Sequence, residues 1–325
     1  MASPLVAVRN LRTLFPVGAH SVFRAPATFV HAVDDVTFDI DEGEALALVG
    51  ESGCGKSTLA LTLLGLERPT TGSIDFAGQE MTALKGSELK AARRNMQMIF
   101  QDPYESLNPL MRVGEIVAEP LIVHKLANAR SDREARVRAA LEAAGLKPPE
   151  VYLERYPYQL SGGQRQRVAI AAALVLEPRL LLADEPVSML DVSIRAEIIN
   201  LLAELKQTRK ISILFITHDL GTVTAVADRI AVMYLGRIVE LGRTADVLTQ
   251  PRHPYTKALL SVTPAPNPRL RKERIILKGE TPDPTRLPGG CRFAPRCPVA
   301  QPLCLASDPP LTALETGHTA ACHFG

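Results

Sequence analysis

Gly50-Glu51-Ser52-Gly53-Cys54-Gly55-Lys56-Ser57 fits the pattern GxxxxGK[ST] and stands between an apolar strand candidate, Ala45–Val49, and a helix candidate, Thr58–Leu66. Strand, glycine loop and helix in that order form a phosphate cradle. The glycines let the backbone turn its N–H groups toward phosphate oxygens. The helix start at Thr58 adds donors and a favourable dipole. Lys56 is placed to neutralise the β- and γ-phosphates, and the Ser57 hydroxyl to ligate Mg²⁺. A chance match to this pattern arises in roughly 1% of chains of this length, and the flanking elements lower that further. The stretch therefore implies a nucleoside triphosphate site.

The surrounding chain is consistent with an α/β core. Leu5–Val8 and Val33–Asp39 read as short strands, with an irregular insertion at Pro16–Thr28. After the first helix come a hairpin around Gly72 and Gly78, a basic helix ending near Arg94, and a buried strand, Met96–Phe100. Residues 104–160 change to Ala-, Leu- and Arg-rich helical periodicity, as an insertion would. Apolar segments return at Leu180–Ala183 and Ile211–Ile216, beside helix candidates at 165–176, 193–209 and 220–227. Such alternation predicts a parallel sheet covered on both faces. After Arg252 prolines become dense and the regular pattern stops, which predicts a boundary between 1–251 and a C-terminal module, 252–325.

Composition bounds the function. The 325 residues carry 46% hydrophobic and 22% charged side chains and a net charge of +2. That is enough apolar material for a core and no footprint for nucleic acid. No run reaches the length of a membrane span, and Met1-Ala2-Ser3-Pro4 does not begin a secretory signal. A cytoplasmic chain is the expectation, with any membrane role exerted through a partner.

Two further stretches carry chemistry. Leu180-Leu181-Leu182-Ala183-Asp184-Glu185 ends a buried strand in two acids, at the rim where open α/β sheets bind ligands. Asp184 is placed to hold Mg²⁺ and Glu185 to polarise an attacking water. Leu160-Ser161-Gly162-Gly163-Gln164 feeds a helix, a second phosphate-binding design with a hydroxyl and free backbone donors. Arg165 and Arg167, just beyond it, read as a solvated or interface face.

Leu160–Gln164 ahead of Asp184-Glu185 resembles the signature of ABC-type ATPases. Gln101 is similar to their Q-loop glutamine, which senses Mg²⁺ and water, Ser188-Met189-Leu190-Asp191 to their D-loop, and His218 to the switch histidine that contacts the γ-phosphate. The resemblance spans roughly residues 5–250. It implies a P-loop NTPase with a RecA-like core, an N-terminal antiparallel β subdomain, a helical subdomain at about 104–168, and a small Pro/Cys-rich C-terminal module. It also implies that ATP lies between the phosphate loop of one subunit and the Ser161, Gly162, Gly163 and Gln164 equivalents of another, with Asp191 nearby. Members place an aromatic ring on adenine; Phe15 is the choice here, with Phe23 and Phe29 as rivals.

His253-Pro254-Tyr255-Thr256-Lys257-Ala258-Leu259-Leu260 narrows the resemblance to the ATP-binding subunits of dipeptide, oligopeptide and nickel importers, as do Ser106–Pro109 and Asp184–Ser188. Of the two ATPase types those importers pair, the chain is closer to the "F" subunit. The resemblance implies a peripheral protein at the cytoplasmic face of the membrane. Its partners would be a second ATPase subunit in a heterodimer, two permease subunits and an extracytoplasmic substrate-binding protein. A soluble ABC ATPase acting on ribosomes or DNA is the alternative, and an ATP-using iron–sulfur redox protein a third.

Four of the five cysteines close the chain as Cys291-x5-Cys297-x6-Cys304-x17-Cys322. In a reducing compartment four clustered thiols suggest a metal. The spacings match neither the usual zinc pairs nor the common ferredoxin runs, so cluster, zinc and free thiols all stay open from spacing alone. Gly290-Cys291-Arg292-Phe293-Ala294-Pro295-Arg296-Cys297-Pro298 resembles the C-terminal motif of dipeptide-importer ATPases, some of which hold a [4Fe–4S] cluster. Cys54, inside the phosphate loop, reads as a small filler.

Overall fold

The computed structural model describes residues 3–17, 28–263, 274–315 and 317–325. Among them twelve strands follow in chain order: β1 Val6–Val17, β2 Thr28–Ile40, β3 Ala45–Val49, β4 Thr71–Phe76, β5 Gln79–Glu80, β6 Met96–Ile99, β7 Leu180–Asp184, β8 Ser212–Thr217, β9 Arg229–Tyr234, β10 Arg237–Arg243, β11 Thr312–Glu315 and β12 His318–Ala320. Two compact units divide the chain. The first comprises Met1–Ile40, Leu46–Ala83 and Thr217–Gly325, and the second Asp41–Ala45 and Leu84–Ile216.

In the first unit β2-β1-β4-β5 form an antiparallel sheet. The expected irregular insertion at Pro16–Thr28 begins and ends as strand, because Pro16 pairs with Phe29 and Val17 with Thr28. Residues 18–27, Phe23 among them, lie outside the described residues. The same unit carries β11-β12-β10-β9-β3, antiparallel except for β3, which runs parallel to β9. All five residues of β3 are buried, as an apolar run covered on both faces should be. Its core gathers Ala47, Val49, Val223, Ile230, Val232 and Tyr234 with Tyr255 and Phe293 of the C-terminal stretch.

The regular pattern therefore does not stop after Arg252. Helices form at Pro254–Val262 and Pro302–Ala306, and β12 pairs with β10 through Glu240 and Ala320. Proline did not break these helices because it opens them, where its missing N–H has no partner to lose. Buried Glu240 sits 2.8 Å from His318 Nε2 and accepts the His253 N–H at 2.9 Å, which pins the C-terminal strand and helix to β10.

In the second unit β8-β7-β6 run parallel, with Ile99 opposite Ala183 and Asp184 opposite Ile216. The helices Gly86–Arg94, Val113–Val123, Arg130–Ala143, Gly162–Leu174 and Val192–Arg209 accompany them. Val117, Leu121, Val137, Leu141 and Val168 are buried among these helices. Arg165 and Arg167, expected on a solvated or interface face, are half-buried, so the solvated reading does not hold. Arg165 lies 4.0 Å over the Tyr104 ring and donates to Pro157 O at 2.7 Å. Arg167 donates to Ala144 O and Glu197. Long side chains with planar heads satisfy loop carbonyls while their stems pack, which their charge alone does not reveal.

Candidate functional site

The phosphate loop leaves buried β3 and enters the helix Lys56–Leu63. Two of its glycines are dictated by close approach. A Cβ on Gly50 would stand 2.2 Å from Met233 O, and one on Gly55 1.8 Å from Ala32 O. Gly55 is also left-handed, at φ +107°, and starts the helix without any side-chain cap. The first N–H groups of that helix thus have no side chain competing for them. Lys56 is only 5% exposed, and its Nζ donates to Gly50 O and Glu51 O, both at 2.9 Å. Ser52, Gly53 and Ser57 are exposed, while Cys54 is buried, its thiol pushed up by desolvation. Cys54 thus has the burial of a filler and lacks the environment of a reactive thiolate.

His218 follows β8 and is exposed, with Asp219 behind it capping the short helix Leu220–Val223. Phe15 is half-buried and pairs with Val30, whereas Phe29 pairs with Pro16. Strand alternation sends the two rings to opposite faces of the hairpin, so they cannot serve one base together.

In the second unit Gln101, Asp184 and Glu185 meet at the C-terminal ends of the parallel strands. Gln101 Nε2 donates to Glu185 Oε2 at 3.3 Å. Asp184 is 6% exposed and closes β7. Glu185 has a left-handed backbone, φ +45°, stabilised by its N–H donating to Ile216 O at 2.9 Å. Such a conformation costs about 1–3 kcal/mol at a non-glycine residue and concentrates at functional sites.

Ser161 caps the helix Gly162–Leu174. Its hydroxyl accepts from Gln164 N at 3.3 Å, and its N–H donates to Gln164 Oε1 at 3.1 Å. This reciprocal capping box was written in the sequence as Ser-x-x-Gln and overlooked beside the glycines. The glycines differ. A Cβ on Gly163 would meet Ile194 Cγ2 at 2.5 Å, whereas one on Gly162 would meet nothing nearer than 3.7 Å. Asp191 stands at the start of the helix Val192–Arg209 and accepts through its backbone from Arg195 N–H.

Cys291, Cys297, Cys304 and Cys322 line one small cavity with His253 and His323. Burial pushes the Cys291 thiol up to about 11 and raises Cys297 as well. Among the described residues no three His, Cys, Asp or Glu side chains gather tightly enough to ligate a single ion. The stretch holding Cys291 and Cys297 also reaches the phosphate loop. Arg296 Nη1 and Nη2 donate to the Glu51 carboxylate at 2.8 and 3.2 Å. Arg292 pairs with buried Asp34 and donates to Leu235 O. Neither arginine was expected in the site, although both flank phenylalanine, alanine and proline in the cysteine motif.

Residues 33–188 match the ABC transporter family, and residues 239–304 match the C-terminal region of oligopeptide/dipeptide transporters. The oligopeptide transport ATP-binding protein OppF of Escherichia coli is 45% identical over 322 residues, covering 98% of this chain and 95% of that protein. The oligopeptide transport ATP-binding protein AppF of Bacillus subtilis is 45% identical over 323 residues, covering 98% and 97%. Among solved structures, a dimeric ATP-binding cassette in a post-hydrolysis state bound to ADP and Pi superposes with a TM-score of 0.65 at 31% identity, covering 74% of this chain and 98% of that one.

Proposed function

The chain belongs to the ABC transporter family, as a relative of its oligopeptide ATP-binding subunits, and from that premise we propose that it is the ATP-hydrolysing subunit of a peptide importer. The observation that carries the ATPase reading is the glycine loop whose Gly50 and Gly55 admit no side chain and whose Lys56 is folded over it. Lys56 holds the β- and γ-phosphates, and Ser57 and Asp184 would ligate Mg²⁺, which neutralises developing phosphate charge when bound. Glu185 takes the proton of the attacking water, Gln101 orients that water with it, and His218 contacts the γ-phosphate. Ser161, Gly162, Gly163 and Gln164, with Asp191, complete the site of an opposing subunit. Phe15 stacks on adenine.

The peptide substrate is inferred from what OppF and AppF are named for. A groove in the second unit, with Arg112, Glu119, Arg133 and Glu134 among its charged lining, supports the importer reading. Leu110, Met111, Ala118, Ile122, Val137 and Leu153 also line this broad groove, and Leu110 is 85% exposed. An amphipathic helix of a permease subunit fits such a groove. Among the described residues no helix is long and apolar enough to cross a membrane. The likeness to OppF and AppF supports a chain that rides on permeases at the cytoplasmic face.

The four cysteines are read as holding a [4Fe–4S] cluster, in a structural role. The four thiols line one cavity, beside His253 and His323, and thiolates are the ordinary ligands of such a cluster. Cys291, Cys297, Cys304 and Cys322 would hold the cluster, which would cross-link the C-terminal stretch. Anaerobic purification with iron, sulfide and zinc analysis tests this, and a metal-free chain removes the cluster.

Glu185→Gln tests the ATPase. It is expected to keep nucleotide affinity, trap an ATP-bound dimer on gel filtration, and lower turnover by roughly 10²-fold or more. Turnover close to the unsubstituted protein sinks the role given to Glu185.

A further inference from the structure

Glu51 is the only acid in the phosphate loop Gly50–Ser57. A carboxylate there opposes a triphosphate unless it is neutralised. In this chain every polar group of Glu51 is engaged. Its N–H donates to Tyr255 Oη at 2.9 Å, and its carbonyl accepts from Lys56 Nζ. Its carboxylate accepts from both Nη atoms of Arg296 and from Thr281 Oγ1 at 2.9 Å. The Arg296 side chain is itself 9% exposed and lies over the Tyr234 ring, 5.9 Å from its centroid. Tyr234, Tyr255 and Phe293 pack on one another with centroids 4.7, 5.3 and 5.4 Å apart. The arginine is thus aimed by an aromatic wall and by the turn Ala294–Arg296, whose last N–H donates to Phe293 O at 3.0 Å. That turn lies between Cys291 and Cys297.

We propose that Arg296, with Tyr255 and Thr281, is a positioning residue of the nucleotide site: the cysteine-bearing segment anchors and neutralises the phosphate loop's own carboxylate, so triphosphate affinity depends on that segment being in place. The inference rests on the loop binding ATP. Arg296 acts through Glu51. A bidentate guanidinium fixes a carboxylate's orientation as well as its charge. By linkage, whatever orders the segment tightens nucleotide binding, and nucleotide orders the segment in return.

The test is equilibrium binding of a fluorescent ATP analogue with Mg²⁺ to the full chain. Arg296→Met is expected to weaken binding roughly tenfold while the number of sites per chain stays unchanged. A residue that only supports the fold would lower the number of sites and leave the dissociation constant alone. Glu51→Gln removes the charge that needs the arginine. The double variant Arg296→Met/Glu51→Gln is therefore expected to bind more tightly than Arg296→Met. A dissociation constant for Arg296→Met within about twofold of the parent, or a double variant weaker than Arg296→Met, overturns the proposal. If Arg296→Met does not fold, Arg296→Lys and Thr281→Val carry the test. Weakened binding in both supports the anchor, and unchanged binding in both refutes it. Lys56→Ala separates the two failures, because parent-like binding by that variant removes the ATP reading itself.

Discussion

Two of the glycine turns that open helices, at Gly55 and Ser161, treat the helix start in opposite ways. At Gly55 no side chain caps the helix, so its first N–H groups are left to an outside acceptor. At Ser161 the hydroxyl and Gln164 close the helix on itself. On the proposed function, the first turn is finished as a phosphate receptor by folding alone. The second would have to exchange an internal cap, worth about 0.5–2 kcal/mol, for contacts with a ligand. A turn that gives up its own cap gains less from nucleotide than one with nothing to surrender. The second turn should therefore engage only when the rest of the nucleotide is already held elsewhere.

Substitutions can break this contrast. Gly55→Ala is expected to do most, since its Cβ would collide with Ala32 O and its φ suits glycine alone. A loss of about 3 kcal/mol or more in denaturant unfolding, with nucleotide binding abolished, is the expected outcome. Lys56→Ala leaves the fold intact and weakens nucleotide roughly hundredfold, read by the same fluorescent titration. In the second turn Gly163→Ala presses on Ile194 and is expected to lower stability by about 1–3 kcal/mol, whereas Gly162→Ala, whose Cβ would make only ordinary contacts at 3.7 Å, leaves unfolding unchanged. Equal effects at the two glycines would remove the distinction drawn between them. Ser161→Ala is expected to be smallest, about 1 kcal/mol in unfolding and no change in the affinity of the isolated chain for nucleotide.

The phosphate loop was legible because its chemistry is local: strand, glycines, lysine and helix follow one another within a few residues. The same holds for β7 and its closing acids. β9 and β10 were missed because their hairpin turns on Leu235 and Gly236, at φ +42° and +79°, where a favoured hairpin would show Asn-Gly. The anchor on Glu51 was out of reach for another reason. Arg296 and Glu51 lie 245 positions apart in sequence, and nothing in Phe-Ala-Pro-Arg-Cys says which distant carboxylate its arginine meets. Long-range ion pairs have no period to read. The capping box at Ser161 could have been read and was hidden by a stronger motif written over the same letters.

Lys56 has a consequence for how fast and how selectively the loop fills. Its ammonium is already withdrawn from water and held by two neutral carbonyl oxygens. The dehydration of that cation is therefore a cost of folding, and on the proposed function an arriving phosphate would need only to take the place of two carbonyls. A cation stored dry inside a peptide ring discriminates by charge density: a neutral ligand offers it nothing better than what it has, and a polyanion does.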